Sequence, residues 1–175
     1  MKHLLLFALV AAVIVAPCAY AQSTPVTSLV SVNVAMEAGL TIQTANAALT
    51  SAGTPFADYK GTTSYTYFIR TSKTSGTGTI ALKVTTDFSP AGGPSVGTPP
   101  SGGDALSYVS TVSLPGTKAD GTASTTAATN TATFGADAHS AKAGNSASVD
   151  WTLTNDPVYA TNAYTATVTW TISAT

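Results

Sequence analysis

Charge is scarce in this 175-residue chain: Asp, Glu, Lys and Arg make up 9% of it, and the formal net charge is −1. No basic cluster is present to hold a phosphate backbone or an anionic bilayer, which argues against nucleic acid or membrane as partner. Glutamate occurs once, as Glu37, and leucine is too sparse to give a sustained spacing of three and four, so helices have little to form from. Histidine occurs at His3 and His139 and cysteine only at Cys18, which leaves no ligand cluster for zinc. No Asp-x-Asp-x-Asp run marks a calcium loop, and no glycine-rich segment has the strand-to-helix context of a phosphate cradle. No cofactor is expected.

The same poverty weighs against catalysis. A nucleophile needs an oriented base beside it. His139 lies between Asp137 and Ser140, but near neighbours on one loop rarely converge as a triad, so it reads as a solvated loop residue. Glycoside hydrolysis would need two facing carboxylates, and the seven aspartates are scattered over separate segments. The chain does not read as an enzyme.

What is present begins with a leader. Lys2 and His3 are followed by an apolar run to Ala16 and the small-x-small sequence Ala19-Tyr20-Ala21. This pattern predicts a secretory signal peptide over residues 1–21, cleaved after Ala21. The apolar run is shorter than the roughly 20 residues that span a bilayer, so no membrane anchor is expected after cleavage. Pro17 before Cys18 fits a lipid anchor poorly. Residues 22–175 then form one secreted domain, extracellular or on the cell surface, without a cysteine. A domain of that length can be held by its core alone.

Strand signals recur between clusters of Gly, Pro, Asn and Asp, which predicts a single immunoglobulin-like antiparallel β-sandwich of seven to nine strands. The last is the plainest: Tyr164, Ala166, Val168, Trp170 and Ile172 alternate with Thr165, Thr167, Thr169 and Thr171. A period of two puts the first set on the buried face. Before it, residues 145–154 alternate Ala147, Val149, Trp151 and Leu153 inward. Trp151, Leu153, Tyr164, Val168, Trp170 and Ile172 are therefore expected in the core. Strands are also predicted over 63–70, 78–88, 105–114 and 130–134, with a weak one over 121–131, and residues 74–78 are expected to turn a hairpin. Residues 89–104 form a Pro/Gly loop, long enough to be either mobile or functional.

The first strand is expected at residues 26–36, with Val30, Val32, Val34 and Met36 on one face. Lying just after the cleavage site, residues 22–36 can serve as an edge strand of their own sheet or as a donor to another copy. Burying four such side chains is worth on the order of 6 to 10 kcal/mol before ordering costs.

Three resemblances bear on function. Tyr164, Val168, Thr169, Trp170 and Ile172, with Trp151 and Leu153 upstream, resemble the paired Trp-x-Leu motifs of the WxL domain of bacterial cell-surface proteins, with Val and Ile in place of Leu. That resemblance implies attachment to the cell wall. Residues 134–144 and 151–157 resemble segments of small secreted β-sandwich proteins of bacteria. The overall plan is similar to subunits of fimbriae and spore-coat-type pili, which implies assembly by lending an N-terminal strand to a neighbour. Two readings follow. One is an extracellular structural subunit of a filament, pilus or surface layer, with further copies of itself as partner. The other is a module binding cell wall or polysaccharide, with Tyr108 and Tyr159 as ligand contacts.

Overall fold

The computed structural model describes residues 26–175, so the leader and Cys18 lie outside the described residues. The chain divides into two units at Asn33 and Val34. Within the first, residues 26–33 carry no regular secondary structure and their side chains are exposed. The second unit is all-β and, among the described residues, has no helix.

Nine strands form two antiparallel sheets: β1 (Glu37–Ile42), β2 (Tyr59–Arg70), β3 (Gly78–Ser89), β4 (Leu106–Val112), β5 (Thr117–Lys118), β6 (Gly121–Thr122), β7 (Thr129–Phe134), β8 (Asn145–Leu153) and β9 (Thr165–Ala174). One sheet has the order β1-β2-β8-β4-β6 and the other β5-β7-β3-β9. The predicted sandwich architecture and strand number hold.

The core follows from alternation. Tyr65, Tyr67 and Ile69 of β2 and Ala147, Val149, Trp151 and Leu153 of β8 are buried against Ile80, Leu82 and Val84 of β3. Buried aromatic side chains with a polar tip need a partner for it, and each has one. The Tyr67 hydroxyl donates to the Ser113 carbonyl at 2.5 Å, Tyr108 to the Asn130 carbonyl at 2.8 Å, and the Trp151 indole N–H to Thr63 Oγ1 at 2.9 Å. Tyr65 shares a hydrogen bond of 3.2 Å with Thr131, and burial raises its phenol above the ordinary value. Ion pairs contribute little: Arg70–Glu37 and Lys118–Asp120 are the two between Lys or Arg and a carboxylate among the described residues, and both are substantially exposed.

Two expectations are corrected. Residues 26–36 are not a strand; the first strand is β1, and Val30, Val32, Val34 and Met36 are 91, 85, 63 and 50% exposed. Their alternation fixes which side chains share a face once the segment is paired, but it supplies no neighbouring edge to pair with. Residues 74–78 do not close a hairpin, because β2 and β3 belong to different sheets and the turn carries the chain across the sandwich. Gly78 suits that crossing: a Cβ there would lie 2.6 Å from Ile69 Cδ1 and 2.8 Å from the Ser173 carbonyl oxygen.

Candidate functional site: an apolar groove beside the last strand

β9 is an edge strand. It pairs with β3 from Gly78↔Ala174 to Ser89↔Thr165, and no strand pairs with its other edge among the described residues. Its outward hydroxyls pair across to β3, Thr169 with Thr85 at 2.9 Å and Ser173 with Thr79 at 3.0 Å. Its inward residues Ala166, Val168, Trp170 and Ile172 are only half-buried, although they pack against the core. Trp170 meets Tyr65 at 5.0 Å and Trp151 at 6.4 Å between ring centroids, so the two tryptophans face each other across the sandwich.

The incomplete burial of β9 coincides with an open groove of about 1210 Å³ between the sheets. Trp151, Leu153 and Tyr59 of the first sheet and Phe88, Val168 and Trp170 of the second line it. Asp156 is the one charged lining residue among those described.

Two loops rim the groove. Residues 43–58 leave β1 at Ile42 and return to β2, tied by reciprocal backbone bonds between Thr50 and Lys60 at 2.8 and 2.9 Å. This loop lies so close to Gly61 that a Cβ there would stand 2.6 Å from the Ala48 carbonyl oxygen. Residues 154–164 form the other rim, and Asn155 Nδ2 joins the two by donating to the Ala57 carbonyl at 3.0 Å.

The Pro/Gly loop of residues 89–104 is tied down. The Asp87 carboxylate accepts hydrogen bonds from Ser95 Oγ at 2.7 Å, Val96 N–H at 2.8 Å and Gly97 N–H at 2.9 Å. Burial alone would raise this carboxyl, but these bonds together with the Phe88 N–H hold it below the usual carboxylate range. Further along, Gly93 lies against the ring of Tyr164, whose hydroxyl donates to the Ala160 carbonyl at 2.6 Å. Asp104 anchors the loop's end by accepting the Tyr159 hydroxyl at 2.8 Å. Burial, then the Asp104 bond and charge, push the Tyr159 phenol well above its ordinary value, so it stays protonated as the donor.

These placements sort the residues singled out in the sequence. Trp151 and Leu153 are buried, while Tyr164, Val168, Trp170 and Ile172 are half-buried. All of these except Ile172 line the groove. Tyr159 lines it too. Tyr108 does not fit as a surface ligand contact: it is 3% exposed, packs on Trp151 at 5.9 Å and spends its hydroxyl on Asn130. His139 Nε2 and Asp137 Oδ1 are 2.9 Å apart at the surface, whereas Ser140 Oγ accepts the Ile69 N–H at 3.0 Å, so the three do not form a relay. Sequence reasoning missed the lining aromatics Tyr59 and Phe56, the latter 61% exposed at the rim. An isolated Phe between Pro55 and Ala57, outside any alternation, was the available signal. No family model, curated protein or solved structure matches the chain.

Proposed function

We propose that the chain is an extracellular structural protein, the subunit of a filament, pilus or surface layer whose copies join through β-strand edges. One observation carries the reading: a ten-residue edge strand, β9, has no strand on its outer edge among the described residues and leaves its inward face half-buried above an apolar groove. Unpaired strand edges recruit further strands, and natural proteins usually blunt them with charge, proline or brevity. β9 has none of these: it is uncharged, proline-free and long. Main-chain pairing supplies affinity at such an edge and apolar pockets supply register. The leader expected at residues 1–21 agrees with assembly outside the cell.

The test is the state of association of the purified protein across a concentration series, by gel filtration and negative-stain microscopy. Oligomers or filaments that grow with concentration are expected. A monomer at the highest concentration reached would end this reading.

The exposed Phe56 beside Tyr59, Tyr159 and Tyr164 supports a second reading, a polysaccharide- or wall-binding module in which rings stack on sugars. In that case the monomer is retained on isolated cell wall, and Phe56→Ala or Tyr159→Ala releases it.

A further inference from the structure

We infer that β9 pairs antiparallel with β9 of a second copy about a two-fold axis at Trp170, each copy keeping its own fold and lending no segment. The inference rests on the reading of self-assembly through strand edges, and it names the edge, its partner and the register.

The residues of β9 are symmetric about Trp170. Thr169 before it is answered by Thr171 after it, Val168 by Ile172, Thr167 by Ser173 and Ala166 by Ala174. A two-fold interface brings residue i onto j and j onto i, so a strand that meets its own copy must be complementary to itself in reverse. Pairing centred on Trp170 sets each side chain opposite one of like size and polarity. It also engages residues 166–174, nearly the whole strand. No residue of β9 is charged, so no like charges come face to face across the seam.

The main chain fits the same centre. The Thr175 N–H donates to the Thr77 carbonyl at 2.8 Å, next to the Gly78↔Ala174 pair. Hydrogen-bonded and non-hydrogen-bonded pairs alternate along an antiparallel ladder, so the main-chain groups of Thr169, Thr171 and Ser173 also turn to β3. Those of Ala166, Val168, Trp170, Ile172 and Ala174 turn to the edge that no described strand occupies. About the axis, the Trp170 N–H of each copy donates to the Trp170 carbonyl of the other. The same reciprocal bonds repeat between Val168 and Ile172 and between Ala166 and Ala174.

The side chains gain as well. Trp170 is half-buried, with Tyr65 and Trp151 on its inner side and the groove beyond. Its counterpart in the second copy covers that open side, and opposed aromatics are among the favourable cross-strand pairs. On the outward face, Thr169 opposite Thr171 carries the hydroxyl ladder of β3 and β9 across the seam. Two four-stranded sheets thus join into one of eight. The edge is used up at two copies, so a longer assembly grows from another surface.

Across the seam Thr169 and Thr171 form a non-hydrogen-bonded pair, with Cα atoms about 4.5 Å apart and within disulfide reach. In a Cys18→Ser background, a copy bearing Thr169→Cys is mixed with a differently tagged copy bearing Thr171→Cys and oxidised. A mixed disulfide dimer is expected. Thr167→Cys mixed with Thr171→Cys, a diagonal about 7–8 Å long, is expected to give at least tenfold less. Separately, Thr169→Asp combined with Thr171→Asp sets carboxylates opposite each other. That variant is expected to self-associate at least tenfold more weakly with an unchanged circular dichroism spectrum, and to pair again when mixed with Thr169→Lys combined with Thr171→Lys. Oligomers that form without the 169–171 link, or that survive the aspartates unweakened, would overturn this pairing while leaving assembly through another edge standing. Equal linking along the diagonal would overturn the register. A protein that never associates would end both this inference and the reading beneath it.

Discussion

β8 and β9 carry nearly the same local sequence, Trp151-Thr-Leu and Trp170-Thr-Ile, and the fold treats them differently. β8 is central, between β2 and β4, so neighbours on both sides and the facing sheet close over Trp151. β9 is an edge, so Trp170 is covered by Tyr65 and Trp151 on its inner side and left half-open toward the groove. Alternation decides which way a side chain points. Place in the sheet decides how much water it loses.

The sharpest test of that contrast is a pair of truncations. Trp151→Ala is expected to cost about 3–5 kcal/mol in denaturant unfolding, as large aromatic deletions from closed cores do. Trp170→Ala is expected to cost about half as much, because part of its surface is already wet; equal costs would break the comparison. Next comes Thr63→Val, which strands the buried Trp151 N–H and is expected to cost about 1–3 kcal/mol, with no matching loss when the Val is placed at exposed Thr167.

A smaller effect is expected at Asp87, whose replacement by Ala releases the Ser95–Gly97 turn at a cost of about 1–2 kcal/mol. Because the folded-state carboxyl is held below its unfolded value, its contribution is complete above the ordinary carboxylate range. It is lost as pH falls through the lowered value. Stability of the wild type should therefore drop more steeply than that of Asp87→Ala over that acid window, in urea titrations at successive pH values. The smallest effect belongs to the outward face of β9: Thr171→Lys is expected to change stability by less than about 0.5 kcal/mol.

Much of the sandwich was legible because it is written with period two. Tyr65, Tyr67 and Ile69, or Val149, Trp151 and Leu153, point inward as their alternation requires. The same signal misplaced residues 26–36, whose pattern matches that of β9 but which pair with no strand among the described residues. Pairing partners were equally hidden: β8 lies between β2 and β4 through contacts such as Trp151 with Thr63, separated by 88 residues in sequence. Of the candidate site, the β9 wall was readable and the rims were not. The Pro/Gly stretch announced a loop, but its capture by one carboxylate depends on where main-chain N–H groups point, which residue types do not encode. Tyr108 illustrates the converse, an amphipathic side chain whose hydroxyl found a carbonyl in the interior.

The thinness of the ion-pair inventory has its own consequence. Arg70–Glu37 and Lys118–Asp120 both sit largely in water, where dissolved electrolyte already masks them. A body held by rings, methyl groups and hydroxyls has almost nothing for salt to weaken. Its melting point should therefore barely move as a dilute buffer is brought to about 0.15 M salt, the range over which screening acts.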